Sequence, residues 1–240
     1  MSRIVVLGGS FGGLTAAFEL KRLLGKNAEV TVVSDDDRFV YLPSLPWLIM
    51  GWRKPDDITL KVSEILKPKG IDFVHEAAKQ VDADSSKVLA ATRELPYDYL
   101  VISTGPQLAF DEIPGLGPDK GYTTCTFTLN HAVKTAQTWQ QVLETPGPIV
   151  LGSSQMVSCF GPSYELAFEM DAELRRRKMR HKVPITYITS EPYLGHMGVG
   201  GLGLSRRFIE DEFAERDIKP LVSQAIAEVA PGEIRLKDGA

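Results

Sequence analysis

The sequence predicts an α/β protein made of two parallel-sheet units in series, the second one incomplete. Three observations predict it. The apolar run from Ile4 to Leu7 leads through glycines into "LTAAFELKRLLG", where Leu14, Ala17, Leu20 and Leu24 recur at helical spacing. "EVTVVS", residues 29–34, is rich in β-branched residues and reads as a second parallel strand, completing a βαβ unit. The same order restarts at "GPIVLGS", where Ile149 to Leu151 precede a helical pattern carrying Tyr164, Leu166, Ala167, Met170 and Leu174.

The remaining elements follow in order. Gly25 supplies the stop for the first helix. Residues 39–52, "FVYLPSLPWLIMGW", are apolar but broken by Pro43 and Pro46, so a covering loop is expected rather than a continuous helix. "IDFVHEAAKQVDAD" and "KVLAAT" read as strand-rich, and "YDYLVISTGP" (97–106) as a buried strand stopped by Gly105-Pro106. A helix is expected near His131 to Leu143. In the second unit "PITYITS" is a strand and "LSRRFIEDEFAERD" a helix with Phe208, Ile209 and Phe213 inward. "AIAEVA" and "EIRLKDG" are short strands. The expected organisation is a first unit at 1–110, a connecting segment at 111–144 and a second unit at 145–240. Asp238-Gly239 is a turn signal normally followed by a pairing strand, so a longer parent chain is expected.

Composition narrows the classes. A formal net charge of −4 gives no electrostatic reason to expect nucleic acid. Two cysteines, Cys125 and Cys159, are too few for a disulfide scaffold in 240 residues. The N-terminal apolar run is too short for a signal peptide, and no run approaches the roughly 18 apolar residues of a membrane span. Any membrane contact is therefore expected to be peripheral. No pair among the histidines and cysteines has zinc-ligand spacing, so no metal site is expected.

In "LGGSFGGL", Gly8, Gly12 and Gly13 lie between a strand and an amphipathic helix, where backbone N–H groups and the helix N-terminus can meet a pyrophosphate. The strict G-x-G-x-x-G pattern has Ser10 in place of its second glycine, and the competing reading is close strand–helix packing alone. Where an acid usually bonds a ribose hydroxyl stand Ser34 and Asp35, at the end of the second strand. Asp36 and Asp37 read equally well as a solvated charge run.

Together these features resemble the flavin disulfide-reductase superfamily, whose Tyr-Asp-x-Leu…Thr-Gly strand is matched by Tyr97, Asp98, Leu100, Thr104 and Gly105. More narrowly, "PSLPWLIMGWRKPDDI", "SCFGPSYE" and "TSEPYLGHMGVGGLG" are similar to bacterial sulfide:quinone oxidoreductases, from Met1 to about Lys219. The resemblance implies two Rossmann-like dinucleotide-binding units and bound FAD, with Gly8, Gly12, Gly13, Thr104 and Gly105 at the nucleotide and Pro46 beside the flavin ring. It implies a redox cysteine at Cys159 whose partner lies in a second half of the family's chain, and an accessory thiol at Cys125. Glu165 resembles the family's buried carboxylate near flavin and quinone, and His131 and His196 its histidines in that region. Sulfide and quinone are the implied substrates. Peripheral contact with the bacterial inner membrane through a missing region and a homo-oligomer are implied with them. The family's later Gly-Asp motif has no counterpart, since no Gly-Asp dipeptide occurs in the sequence.

Residue chemistry leaves alternatives. Cys159 precedes a helical pattern whose N-terminus would favour a thiolate, whereas a lone cysteine is often a small buried hydrophobe. A type II NADH dehydrogenase would need a second phosphate cradle where "GSSQMVSCFGP" stands, although Glu191 could hold a nicotinamide-side ribose. The flavoprotein subunit of a flavocytochrome c sulfide dehydrogenase would need a haem partner and an exported chain. A non-catalytic FAD-binding fragment is the reading from another class.

Overall fold

The computed structural model describes residues 1–239 and divides into two compact units. The first consists of Met1–Tyr41 and Asp56–Leu108. The second consists of Leu42–Pro55 together with everything from Ala109 onward.

In the first unit, β1 (Ser2–Leu7) leads into α1 (Phe11–Leu24) and returns as β2 (Ala28–Ser34). Strands β1 and β2 pair in parallel from Ser2↔Ala28 to Leu7↔Val33. The chain then forms β3 (Arg38–Val40), departs as α2 (Leu45–Ile49) into the second unit, and comes back as β4 (Thr59–Lys61), antiparallel to β3. After α3 (Val62–Leu66), β5 (Asp72–His75) pairs with β2. Strands β6 (Ala78–Asp82), β7 (Lys87–Ala90) and β8 (Glu94–Pro96) form an antiparallel sheet, and β9 (Tyr99–Ile102) completes a four-stranded parallel sheet in the order β5-β2-β1-β9.

Alternation along β1 explains why its apolar run is continuous. Ile4 and Val6 pack with Val30, Val32, Leu14, Ala17, Val62 and Leu66 on the helical face. Val5 and Leu7 pack with Val33, Val74 and Val88 on the face covered by the antiparallel sheet. A parallel strand covered on both sides needs apolar residues at every position, each full burial contributing about 1.5–3 kcal/mol. The expected burial of 97–106 is corrected: β9 is the sheet edge, and Ile102 is 65% exposed because β1 flanks it on one side alone.

In the second unit, α4 (Leu129–Glu144) is capped by the Thr128 side chain, which accepts from the His131 N–H. It and α5 (Gly161–Arg176) pack against α2. Strands β10 (Ile149–Ser153), β11 (Ile185–Thr189) and β12 (Ile218–Leu221) form a parallel sheet, with α6 (Ser205–Glu215) leading into β12. The chain ends in an antiparallel hairpin of β13 (Ile226–Ala230) and β14 (Glu233–Leu236). Its Ile226, Val229 and Leu236 pack on Ile113 and Ile188. On α6, Ile209 and Phe213 are buried one turn apart, but Phe208 is 60% exposed, against the expectation that it faces inward. A residue adjacent to Ile209 lies about 100° around the helix, outside so narrow an apolar stripe. The covering segment at 42–55 and the helix of the expected 111–144 linker both pack within the second unit.

Candidate FAD cradle and candidate redox site

The four parallel strands of the first unit end at one edge: β5 at His75, β2 at Ser34, β1 at Leu7 and β9 at Ile102. Three residues, Gly8 to Ser10, join β1 to α1. Gly8 adopts φ +109°, its N–H donates to the Val33 carbonyl at 2.8 Å, and an added Cβ would lie 2.2 Å from the Ser103 carbonyl oxygen. A Cβ on Gly13 would lie 1.9 Å from the Gly8 carbonyl oxygen. Gly8 and Gly13 are thus required by strand–helix approach itself. Gly12 is exposed, and its Cβ would only touch Ser103 at 3.4 Å, so the absence of a side chain there leaves the helix terminus open.

Ser10 makes no side-chain cap and no acid occupies the first turn of α1, so the leading N–H groups and the positive end of the helix dipole face outward without a built-in anion. Ser103, unmarked in the sequence, donates through N–H and Oγ to the Leu7 carbonyl at 2.9 and 2.7 Å and braces the floor. Thr104 and Gly105 (φ +75°) follow it at the exposed rim. Ser34 Oγ closes a turn with Asp36, donating to its carbonyl at 3.0 Å, while Asp35 is exposed. The other two acids are engaged rather than simply solvated. Asp36 pairs with Arg38, which holds its carboxyl below the usual range, and Asp37 accepts from Ser63 N–H and Oγ, both at 2.7 Å.

The remaining sequence-marked residues lie in the second unit. Pro46 is buried in the first turn of α2. Cys159 is exposed and directly precedes Phe160, the N-cap of α5. Cys125 is half-buried, and burial pushes its thiol up, which disfavours a thiolate. His131 lies with Nε2 3.3 Å from Asp119, whose carboxyl is held low by Lys134 and then by His131. Among the described residues the buried Nδ1 of His131 has no hydrogen-bond partner, which costs about 1–3 kcal/mol unless a further group meets it. His196 packs edge-on against Tyr193, ring centres 5.2 Å apart.

On α5 sequence reading missed Glu169, a carboxylate that burial holds above its ordinary range. Glu165 is half-buried. One turn on, Glu169 has a buried Oε2 without a hydrogen-bond partner among the described residues, and its pKa is pushed up to about 7. Burial is the main cause and the neighbouring Glu165 charge the second, opposed by Trp47 from α2. The spacing Glu165-x3-Glu169, two acids on one helix face beside a tryptophan-bearing segment, was the available signal.

The second turn differs from the first. Seven residues, Ser154 to Phe160, separate β10 from α5, and polar side chains bond one another around that turn. Ser163 Oγ lies 2.8 Å from Ser153 Oγ and 2.7 Å from Tyr187 OH, while Gln155 bonds the Ile226 backbone through both N–H and C=O at 2.9 Å. Glu191 is 2% exposed, and both its oxygens accept internal hydrogen bonds. That removes the sequence-level argument for a ribose there.

Residues 2–192 match the family described as pyridine nucleotide-disulphide oxidoreductase. The chain belongs to that family. It is 41% identical over 236 residues to the sulfide-quinone reductase of Aquifex aeolicus, covering 98% of this chain and 54% of the relative. The mouse mitochondrial sulfide:quinone oxidoreductase is 26% identical, with 95% and 50% covered. The crystal structure of the Aquifex aeolicus sulfide:quinone oxidoreductase superposes with a TM-score of 0.95 at 40% identity, covering all of this chain and 56% of that one. A Plasmodium falciparum NDH2 bound to NADH superposes at 0.74 with 18% identity, over 98% of this chain and 50% of that one, which speaks for the fold alone. The chain spans about half the length of the curated relatives it matches. FAD is the cofactor of this family, and the cradle fits it: an uncapped helix start, an open Gly12 and no competing acid in the first turn.

Proposed function

We propose that the protein containing this chain oxidises sulfide with FAD and delivers the electrons to a membrane quinone. The observation that carries this reading is the exposed Cys159 at the start of α5, within a chain 41% identical across almost its whole length to a sulfide-quinone reductase. Gly8, Gly12, Gly13, Thr104 and Gly105 hold the nucleotide, with Ser34 and Asp35 at its ribose and Pro46 near its ring. FAD supplies a two-electron acceptor that quinone can reoxidise.

Hydrosulfide attacks a disulfide formed by Cys159 and a cysteine elsewhere in the parent protein. The S–S bond breaks, a persulfide forms on the attacked sulfur, and the other sulfur leaves as a thiolate carrying the electron pair. Cys159 is exposed in this chain, as a sulfur open to a nucleophile must be. The proton released from the persulfide passes to Glu165, His131 or His196. Cys125, whose thiol burial pushes up, serves as an accessory sulfur rather than the first nucleophile. Peripheral contact with the bacterial inner membrane and homo-oligomeric assembly belong to this reading; among the described residues no helix is long and apolar enough to cross a membrane.

The test is Cys159→Ser in the full-length parent. Bound FAD should be retained and sulfide-dependent bleaching lost, because the hydroxyl cannot form the disulfide. Sulfide-driven quinone reduction at the parent rate would overturn the reading. NADH should not bleach the flavin, since the second turn is longer than the first and has no glycine between Ser154 and Phe160; rapid bleaching by NADH would favour a dehydrogenase instead.

A further inference from the structure

The buried carboxylate of Glu191 has no place in the chemistry above, yet it is surrounded by donors. Its Oε2 accepts from Tyr164 OH at 2.7 Å and Thr189 Oγ1 at 2.9 Å, and its Oε1 from the Met197 N–H at 2.7 Å. Tyr164 OH in turn accepts from the Gly195 N–H at 3.1 Å. The two peptide N–H groups flanking His196 are therefore both held by one buried tyrosine–carboxylate pair, reaching out from α5 and from the end of β11.

We propose that Tyr164 and Glu191 are positioning residues that clamp the backbone on both sides of His196 and so fix its imidazole for proton handling. An acid at the end of β11 sits where a pyridine-nucleotide unit would present one to a ribose; here it is turned inward to hold a loop.

The local backbone needs such a clamp. Met197 adopts φ +55° and Gly195 φ +77°, with further left-handed glycines at 198, 200, 201 and 203, so the segment has many competing conformations. Other bonds hold the loop and the His196 backbone itself: Tyr193 OH donates to the Gly200 carbonyl at 2.7 Å, Ser205 Oγ to the Gly195 carbonyl at 2.9 Å, and the Gly201 N–H to the His196 carbonyl at 2.8 Å. Among the described residues, Tyr164 and Glu191 are the partners of the N–H groups immediately before and after the histidine. Tyr164 is anchored by stacking on Tyr187 at 4.7 Å and edge contact with Phe213 at 5.8 Å, so its hydroxyl is a rigid acceptor.

That the clamped group serves sulfide chemistry rests on the proposed function; the clamp itself does not, and the experiment separates the two. In the full-length parent, hydrogen exchange read by fragment mass spectrometry should accelerate about tenfold over residues 195–197 in Tyr164→Phe, with Ile185–Thr189 unchanged. Carbethoxylation of His196 should accelerate in parallel. Glu191→Gln keeps an acceptor for Met197 and a polar contact for the hydroxyls, and should restore parent behaviour in both measurements. Glu191→Ala should not, and Tyr164→Phe, which keeps the ring packing, decides the matter should the alanine variant fail to fold. Parent-like exchange and His196 reactivity in Tyr164→Phe would overturn the clamp. In the same variant the pH profile of sulfide-dependent flavin reduction should change; an unchanged profile despite a loosened loop would overturn the role assigned to His196. A parent that is not reduced by sulfide would refute the functional reading while leaving the exchange result to judge the clamp.

Discussion

At the scale of single residues, the titration of Glu169 is the most accessible consequence of the structure. Its carboxyl is raised from an ordinary 4.5 to about 7 by burial and by Glu165, so between those values the folded protein binds more protons at this site than the unfolded chain. Stability from this group is therefore fully present below about pH 4.5 and lost as pH rises toward and past 7. Glu169→Gln, an isostere of the protonated form, should flatten that part of the profile and stabilise the protein at pH 8. Thermal unfolding of both proteins from pH 5 to 8 checks this; parallel curves would refute it. Gly12 offers a second residue-scale test. Its Cβ would meet only an ordinary contact, unlike those of Gly8 and Gly13. Gly12→Leu should thus fold and unfold as the parent does, yet lose retained flavin, measured as the ratio of flavin to protein absorbance after gel filtration.

At the scale of elements, short α3 illustrates how a charge cluster becomes structure. Asp37 accepts from the Ser63 N–H and Oγ within the first turn of α3, while Val62 and Leu66 of that helix are fully buried against the sheet. Loss of such a cap costs about 0.5–2 kcal/mol, so Asp37→Ala should lower stability by that amount in chemical denaturation, whereas Asp35→Ala should change it little. The acidic run was ambiguous in sequence because its partner, Ser63, lies 26 residues away. The βαβ start was legible because its signals are local: an apolar strand, glycines and a helical repeat within about 30 residues. The exposure of β9 and of Phe208 was not, since edge position and stripe width depend on which neighbours the fold supplies.

At the scale of the whole molecule, the order of strand, glycine turn and helix determined from sequence alone that two parallel-sheet units occur and that the first offers a phosphate cradle. Local sterics suffice for this, because a glycine turn between an apolar strand and an amphipathic helix has few alternative structures. The motif around Cys159 was likewise readable from a contiguous string. Tertiary structure alone decided which glycines serve packing and which leaves the helix open. It also decided that segment 42–55 packs with the second unit, that burial raises the Glu169 carboxyl, and that Glu191 points inward. Each of these depends on burial or on a donor distant in sequence: Trp47 lies more than a hundred residues from Glu169, and Tyr164 lies 27 from Glu191. Burial and hydrogen-bond partnership are properties of three-dimensional neighbours, which a one-dimensional pattern does not specify.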